Sequence, residues 1–101
     1  MTVALQGDIG KPHPALVVQS DHFTDLPAVT VLPITSALVD APLLRVDVEP
    51  SARNGLVKRS QIMVDKPQTL LRAEVGSVIG HLEPATLLTV NGALALFSGL
   101  G

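Results

Sequence analysis

The chain has 101 residues, with seven Lys and Arg against nine Asp and Glu, a formal net charge of −2. That length suits one domain, residues 1–101, and a chain of this size with 47% hydrophobic residues can bury roughly two-thirds of its unfolded surface, which excludes intrinsic disorder. The absence of cysteine excludes a disulfide framework, a thiol nucleophile and sulfur-ligated zinc, while two aromatic residues, Phe23 and Phe97, are too few for RNA recognition on an aromatic platform.

From Met1 to Asp8 there is neither the basic start nor the apolar run of a signal peptide. No later stretch approaches the ~18 consecutive apolar residues of a membrane span, so a soluble, cytoplasmic protein is expected. After the stiff segment Lys11-Pro12-His13-Pro14, residues Ala15 to Gln19 read as a buried strand closed by Ser20-Asp21-His22. Ala28 to Leu32 form a second strand. Pro33 has no backbone donor, so it should end that strand or lie at an edge and turn the chain into Ile34-Thr35-Ser36. Leu44 to Glu49 alternate apolar and charged residues, the pattern of a half-buried antiparallel strand. Glu49 to Gly55 form the longest turn-rich loop, with Asn54-Gly55 expected to supply positive φ angles.

Ser60 to Asp65 should be a strand with Ile62 and Val64 on one face and Gln61, Met63 and Asp65 on the other. Val78-Ile79 is a further short strand. From Pro84 the period changes, and Leu87, Val90, Leu94 and Phe97 recur at helical spacing, so one C-terminal helix is expected from Pro84 to Ser98, stopped by Gly99. Gly92 within it costs about 1 kcal/mol relative to Ala, which a close approach to another backbone would explain.

Charge is unevenly placed. Asp21 to Glu49 hold five acids and one base, whereas Arg53 to Arg72 hold five bases (Arg53, Lys58, Arg59, Lys66, Arg72) and one acid, Asp65. The bases read either as a phosphate-binding edge or as a solvated surface of mixed sign. No phosphate loop, nucleophile elbow or metal-ligand spacing is present, and His13, His22 and His81 are scattered. What remains is acid–base chemistry without metal or cofactor. His13, between two prolines in a rigid turn, is either catalytic or structural; Thr35 and Asp65 are each either site residues or turn caps.

Four blocks in register add to this reading: Gly7 to Asp21, Val29 to Ser36, Gly55-Leu56 with Ser60 to Lys66, and Val78 to Leu82. Together they closely resemble the MazF/PemK-like toxins of toxin–antitoxin pairs over nearly the whole chain. The resemblance implies an α+β, mostly β fold: an SH3-like antiparallel barrel of the CcdB/MazF/PemK type with a C-terminal helix. It also implies a homodimer, metal-independent endoribonuclease activity on single-stranded RNA, inhibition by a cognate antitoxin, and contact with DNA only through that antitoxin.

Carried over by residue, the resemblance assigns catalysis to His13, Thr35 and Asp65, and RNA binding to Lys11, Ser36, Lys58, Arg59, Ser60 and Gln61. In this chemistry the RNA 2′-hydroxyl attacks the adjacent phosphorus, so the protein supplies a base, a proton donor and donors to the phosphate oxygens. This sequence departs from the family at three places. His13 stands where relatives have Arg, exchanging a permanently charged fork for a ring that titrates between about pH 5 and 8. Gln68 stands where many have Arg. Thr2-Val3-Ala4-Leu5 follows Met1 directly, where relatives have a basic segment, so a first strand truncated at its N-terminus is expected. The rival reading is a protein that acts by binding only, either a catalytically impaired member or a CcdB-like gyrase poison; the C-terminal Trp-Gly-Ile of the latter is not matched by Phe97 to Gly101.

Overall fold

The computed structural model describes residues 1–5, 13–18 and 28–99. Seven strands are present among them: β1 (Thr2–Leu5), β2 (His13–Val17), β3 (Ala28–Thr35), β4 (Arg45–Val48), β5 (Ser60–Met63), β6 (Gln68–Leu71) and β7 (Val75–Gly80). A 3₁₀ turn (Arg72–Glu74) joins β6 to β7, and one helix, α1 (Pro84–Phe97), follows. The strands pair antiparallel in the order β4-β5-β3-β2-β1-β7, with β6 also on β3. The outermost strands, β4 and β7, do not pair with each other, so the expected barrel-like sheet is present but open.

The uninterrupted apolar runs of β2 and β3 are explained by burial on both faces. Leu16 and Leu32 point into one cluster with Ile34, Val46, Ile62, Val64 and Val90, whereas Ala15 and Val31 point into a second with Val3 and Val29. Pro33 does not end its strand. On one side it pairs with Ala15 of β2; on the other it falls between the segment bound to β6 (Ala28 to Val31) and the segment bound to β5 (Ile34 and Thr35). A residue with no donor is tolerated where a strand changes partner.

Two other strands differ from the sequence reading. The first buried strand starts at His13, so His13 belongs to a strand opposite Leu5 rather than to a turn. The strand expected through Asp65 ends at Met63, because Val64 and Asp65 enter a turn closed by the Lys66 amide on the Met63 carbonyl (3.2 Å).

The helix begins at Pro84 and ends at Phe97, with Ser98 capping it and Gly99 at φ +76°. Of its four spaced apolar residues only Val90 is fully buried; Leu94 packs beside it with Ala93, while Leu87 and Phe97 are exposed. So many apolar residues encircle this helix that periodicity selects no single face. A Cβ at Gly92 would meet nothing within 4 Å, so the close approach expected there is absent within the protomer.

Close approach occurs instead between the 49–55 loop and the end of β7. Gly55 alone in that loop has positive φ (+73°), and a Cβ there would overlap the Ile79 carbonyl, as one at Gly80 would overlap Arg53. Asn54 keeps a negative φ and serves as a buried hub. Its Oδ1 accepts the Ser51 and Leu56 amides (both 3.0 Å), and its Nδ2 donates to the Glu49 carbonyl (2.9 Å) and Glu83 Oε1 (3.1 Å). The Ser51 hydroxyl donates to Glu83 Oε2 (2.6 Å) and is the main reason the Glu83 carboxyl is held below its ordinary range.

Candidate functional site

Antiparallel register decides which sequence candidates meet. In β2 and β3, Ala15 lies opposite Pro33 and Val17 opposite Val31; the ladder ends at Ala15 and Pro33, and His13 and Thr35 each stand two residues past that end. On the other side of β3, Thr35 pairs with Gln61 as the last pair of that ladder, and Ser36 and Ser60 are the residues next to them. One end of the sheet therefore gathers His13, Thr35, Ser36, Ser60 and Gln61, with Lys58 and Arg59 just ahead of β5. His13 and Ser36 are exposed and Thr35 is half-buried.

The Thr35 hydroxyl is already oriented. Its Oγ1 accepts the Ala37 amide (3.0 Å), which occupies an acceptor site and leaves the hydroxyl proton free to donate outward. Such a donor at the exposed end of a rigid strand is what an anionic oxygen requires. Lys58 is exposed and carries no ion pair among the described residues.

Arg59 is differently placed. Its Nε lies 3.2 Å from Glu49 Oε1 and its Nη2 3.9 Å from Asp47 Oδ2, so the acidic and basic segments of the sequence pair with each other across β4 and β5. Arg59 is therefore engaged by acids and is not a free base of a positive edge. Ser60 and Gln61 turn inward: the Ser60 hydroxyl donates to the Lys58 carbonyl (2.9 Å), and Gln61, 6% exposed, uses both ends of its amide on Val39 and Asp47. In this structure both side chains are engaged within the fold rather than presented to a base edge.

Asp65 is not brought to the same place. It lies four positions beyond Gln61, past the far end of β5, on the order of 10 Å from Thr35. Its neighbour is Arg45, whose Nε stands 3.6 Å from Asp65 Oδ1, near enough for attraction but too far for a hydrogen bond; that oxygen is buried and has no hydrogen-bond partner. Arg45 also lines a groove of about 430 Å³ between β4 and α1, together with Pro42, Asp47, Thr86 and Thr89. Lys11 lies outside the described residues.

Sequence reasoning did not single out Arg45, Asp47 or Val39. The charge alternation of β4 was the available signal for the first two, but it reads only as a solvated face until the partner strand is known. Among the described residues no cluster of three or more His, Asp or Glu is arranged to hold a metal ion. No helix among them is long and apolar enough to cross a membrane.

Comparison with known proteins agrees with this architecture. A family model described as PemK-like, MazF-like toxin of type II toxin–antitoxin system matches residues 1–98. The probable endoribonuclease MazF of Mycolicibacterium smegmatis is 38% identical over 91 residues, covering 90% of this chain and 84% of that protein. Among solved structures, the Mycobacterium tuberculosis toxin MazF-mt6 superposes with a TM-score of 0.84 at 28% identity, over 99% of this chain and 97% of the other. An endoribonuclease in complex with its cognate antitoxin, from a mycobacterial species, gives 0.82 at 26% identity, over 99% and 92%.

Proposed function

The chain belongs to the PemK-like, MazF-like toxins of type II toxin–antitoxin systems, and from that premise we propose that it is an endoribonuclease cutting single-stranded RNA by attack of the RNA's own 2′-hydroxyl. The observation that carries the proposal is that His13, exposed, and Thr35, half-buried, stand just past the same end of the β2–β3 ladder. The 2′-oxygen bonds to the adjacent phosphorus as its proton passes to a base. The bond from phosphorus to the 5′-oxygen breaks, and that oxygen takes a proton from an acid. The products are a 2′,3′-cyclic phosphate and a 5′-hydroxyl.

An imidazole at His13 serves as base when neutral or as acid when protonated. Thr35, its proton free, and Ser36 donate to the phosphate oxygens, while Lys58 and, once released from Glu49, Arg59 hold the strand by charge. Asp65 is the other candidate base. Its separation from Thr35 makes His13→Ala against Asp65→Asn the deciding pair of variants. As the named complex of a related endoribonuclease suggests, a cognate antitoxin is the expected protein partner. Leu87, Leu88, Leu96 and Phe97, all exposed on α1, are the apolar surface offered to a second copy in a homodimer.

The test is incubation of the purified protein with a long single-stranded RNA in EDTA, followed by analysis of the new ends. Cyclic phosphate and 5′-hydroxyl termini are expected; intact RNA would leave the binding-only reading, which the exchange of the family's Arg for His13 favours. A pH profile of cleavage then reports on His13, since activity indifferent to pH between about 5.5 and 8 and to His13→Ala would remove it from the mechanism.

A further inference from the structure

Gln61 is buried opposite Thr35, and its three side-chain hydrogen bonds serve one purpose. Its Oε1 accepts the Val39 amide (3.0 Å), and its Nε2 donates to the Val39 carbonyl (2.9 Å) and to Asp47 Oδ1 (2.9 Å). A carboxylate only accepts, so Asp47 fixes which end of the amide is the nitrogen, and thereby aims Oε1 at the Val39 N–H. Gln61 is also the residue that pairs with Thr35 in the β3–β5 ladder. The segment from Thr35 to Val39 therefore starts and finishes on the same residue, held first by backbone register and then by a side chain that imitates a strand's N–H and C=O. Beyond Thr35 that segment is exposed and in no strand or helix, so little else restrains it.

We propose that Gln61, locked by Asp47, is a positioning residue that holds the 35–39 segment so that the Thr35 and Ser36 hydroxyls meet the reacting phosphate in one geometry. This rests on the endoribonuclease reading for its consequence, though the clamp itself does not. Misplacing a donor by about 1 Å lowers the rate by up to roughly 100-fold, which is the scale on which such a clamp acts. A residue that positions transition-state donors changes kcat more than KM.

The experiment compares wild type with Gln61→Met, which keeps length and removes the polar ends, and with Gln61→Glu, which keeps shape and sets a carboxyl against the Val39 carbonyl and the Asp47 carboxylate. Cleavage of a long single-stranded RNA gives kcat and KM, and hydrogen exchange at the Val39 amide reads the clamp without reference to activity. Gln61→Met is expected to lower kcat roughly 10- to 100-fold with KM within about threefold, and to speed Val39 exchange. For Gln61→Glu the loss should be deep at pH 8 and smaller at about pH 5.5, where a proton shared with Asp47 restores a donor. Wild-type kcat in Gln61→Met, or Val39 exchange unchanged in both variants, overturns the proposal. So does a Gln61→Glu loss, taken relative to wild type at each pH, that is the same at both. Should Gln61→Met fail to fold, the isosteric Gln61→Glu decides by its pH dependence. Should wild type leave RNA intact, the activity reading falls, while Val39 exchange still tells whether Gln61 holds the segment.

Discussion

The two ends of β5 handle polar groups in opposite ways. At the Ser60–Gln61 end each side chain is buried and hydrogen-bonded, and two of the Gln61 bonds hold Val39 in the segment after Thr35. At the other end, Asp65 Oδ1 is buried with no hydrogen bond, and an arginine at 3.6 Å offers attraction without a matched donor. The saturated end supports a rigid platform for donors to a phosphate. The unsaturated end is a local weakness, and the arginine of its charge pair lines a groove.

The largest expected contrast is in activity. Thr35→Ala should lower kcat by roughly 100- to 1000-fold, the usual cost of one transition-state donor, whereas Asp65→Asn should stay within about threefold if Asp65 only faces Arg45. Single-turnover cleavage at pH 7 measures both. A loss at Asp65 matching that at Thr35 would join the two ends into one site and make Asp65 the base. In stability the order reverses. Asp65→Asn removes a partly screened charge pair and should cost about 1 kcal/mol in urea unfolding, with Thr35→Ala costing less.

Binding gives a smaller effect. Lys58→Ala should weaken RNA affinity and lower the slope of log K against log salt by about 0.7, as for one phosphate contact on a single strand. Glu49→Gln should act the other way, strengthening binding a fewfold at low salt because it releases Arg59, with the gain fading as salt rises. Filter binding across a salt series separates the two. An unchanged affinity in Glu49→Gln would place Arg59 outside the RNA path.

The smallest effect concerns Glu83. Its folded-state pKa is depressed, chiefly by the Ser51 hydroxyl, so its contribution to stability is complete above the unfolded value of about 4.3 and is lost as pH falls through the lower folded value. In thermal melts from pH 6 to 2.5, Glu83→Gln should show a shallower acid decline than wild type. Identical declines would mean that the hub around Asn54 does not sense this charge.

Much of this architecture was legible in the sequence. The apolar runs at Ala15 and Ala28, the alternation from Leu44 and the helical spacing from Pro84 all correspond to observed elements, because each reflects local periodicity. β6 was not legible: Gln68-Thr69 and the preceding Lys66-Pro67 are turn-forming and exposed, and only pairing with β3 makes Gln68–Leu71 a strand. Gln61 was misplaced for a related reason. Period-two geometry puts it on the outer face, but the segment around Val39 folds over that face and buries it. That His13 and Thr35 fall past the same end of the β2–β3 ladder is likewise a matter of strand pairing, which no single strand contains. The charge runs left two readings open, and the pairing of Arg59 with Glu49, neighbours across the β4–β5 ladder though ten residues apart in sequence, agrees at that position with a surface of mixed sign.

The Asn54 hub has a kinetic meaning as well. Its carbonyl accepts the hydroxyl of buried Thr2, 52 positions earlier (2.8 Å), its side chain reaches Glu83, and Gly55 and Gly80 are fitted tightly against the facing backbones. These contacts bring the beginning of the chain, its middle and the entry to the helix into one place, so closing them costs loop entropy that nearby pairings do not. They belong among the last to form on the way to the native state and the first to be broken on leaving it. The hub would therefore act less as a nucleus than as a latch: weakening it should leave the folding rate almost untouched while shortening the lifetime of the folded chain.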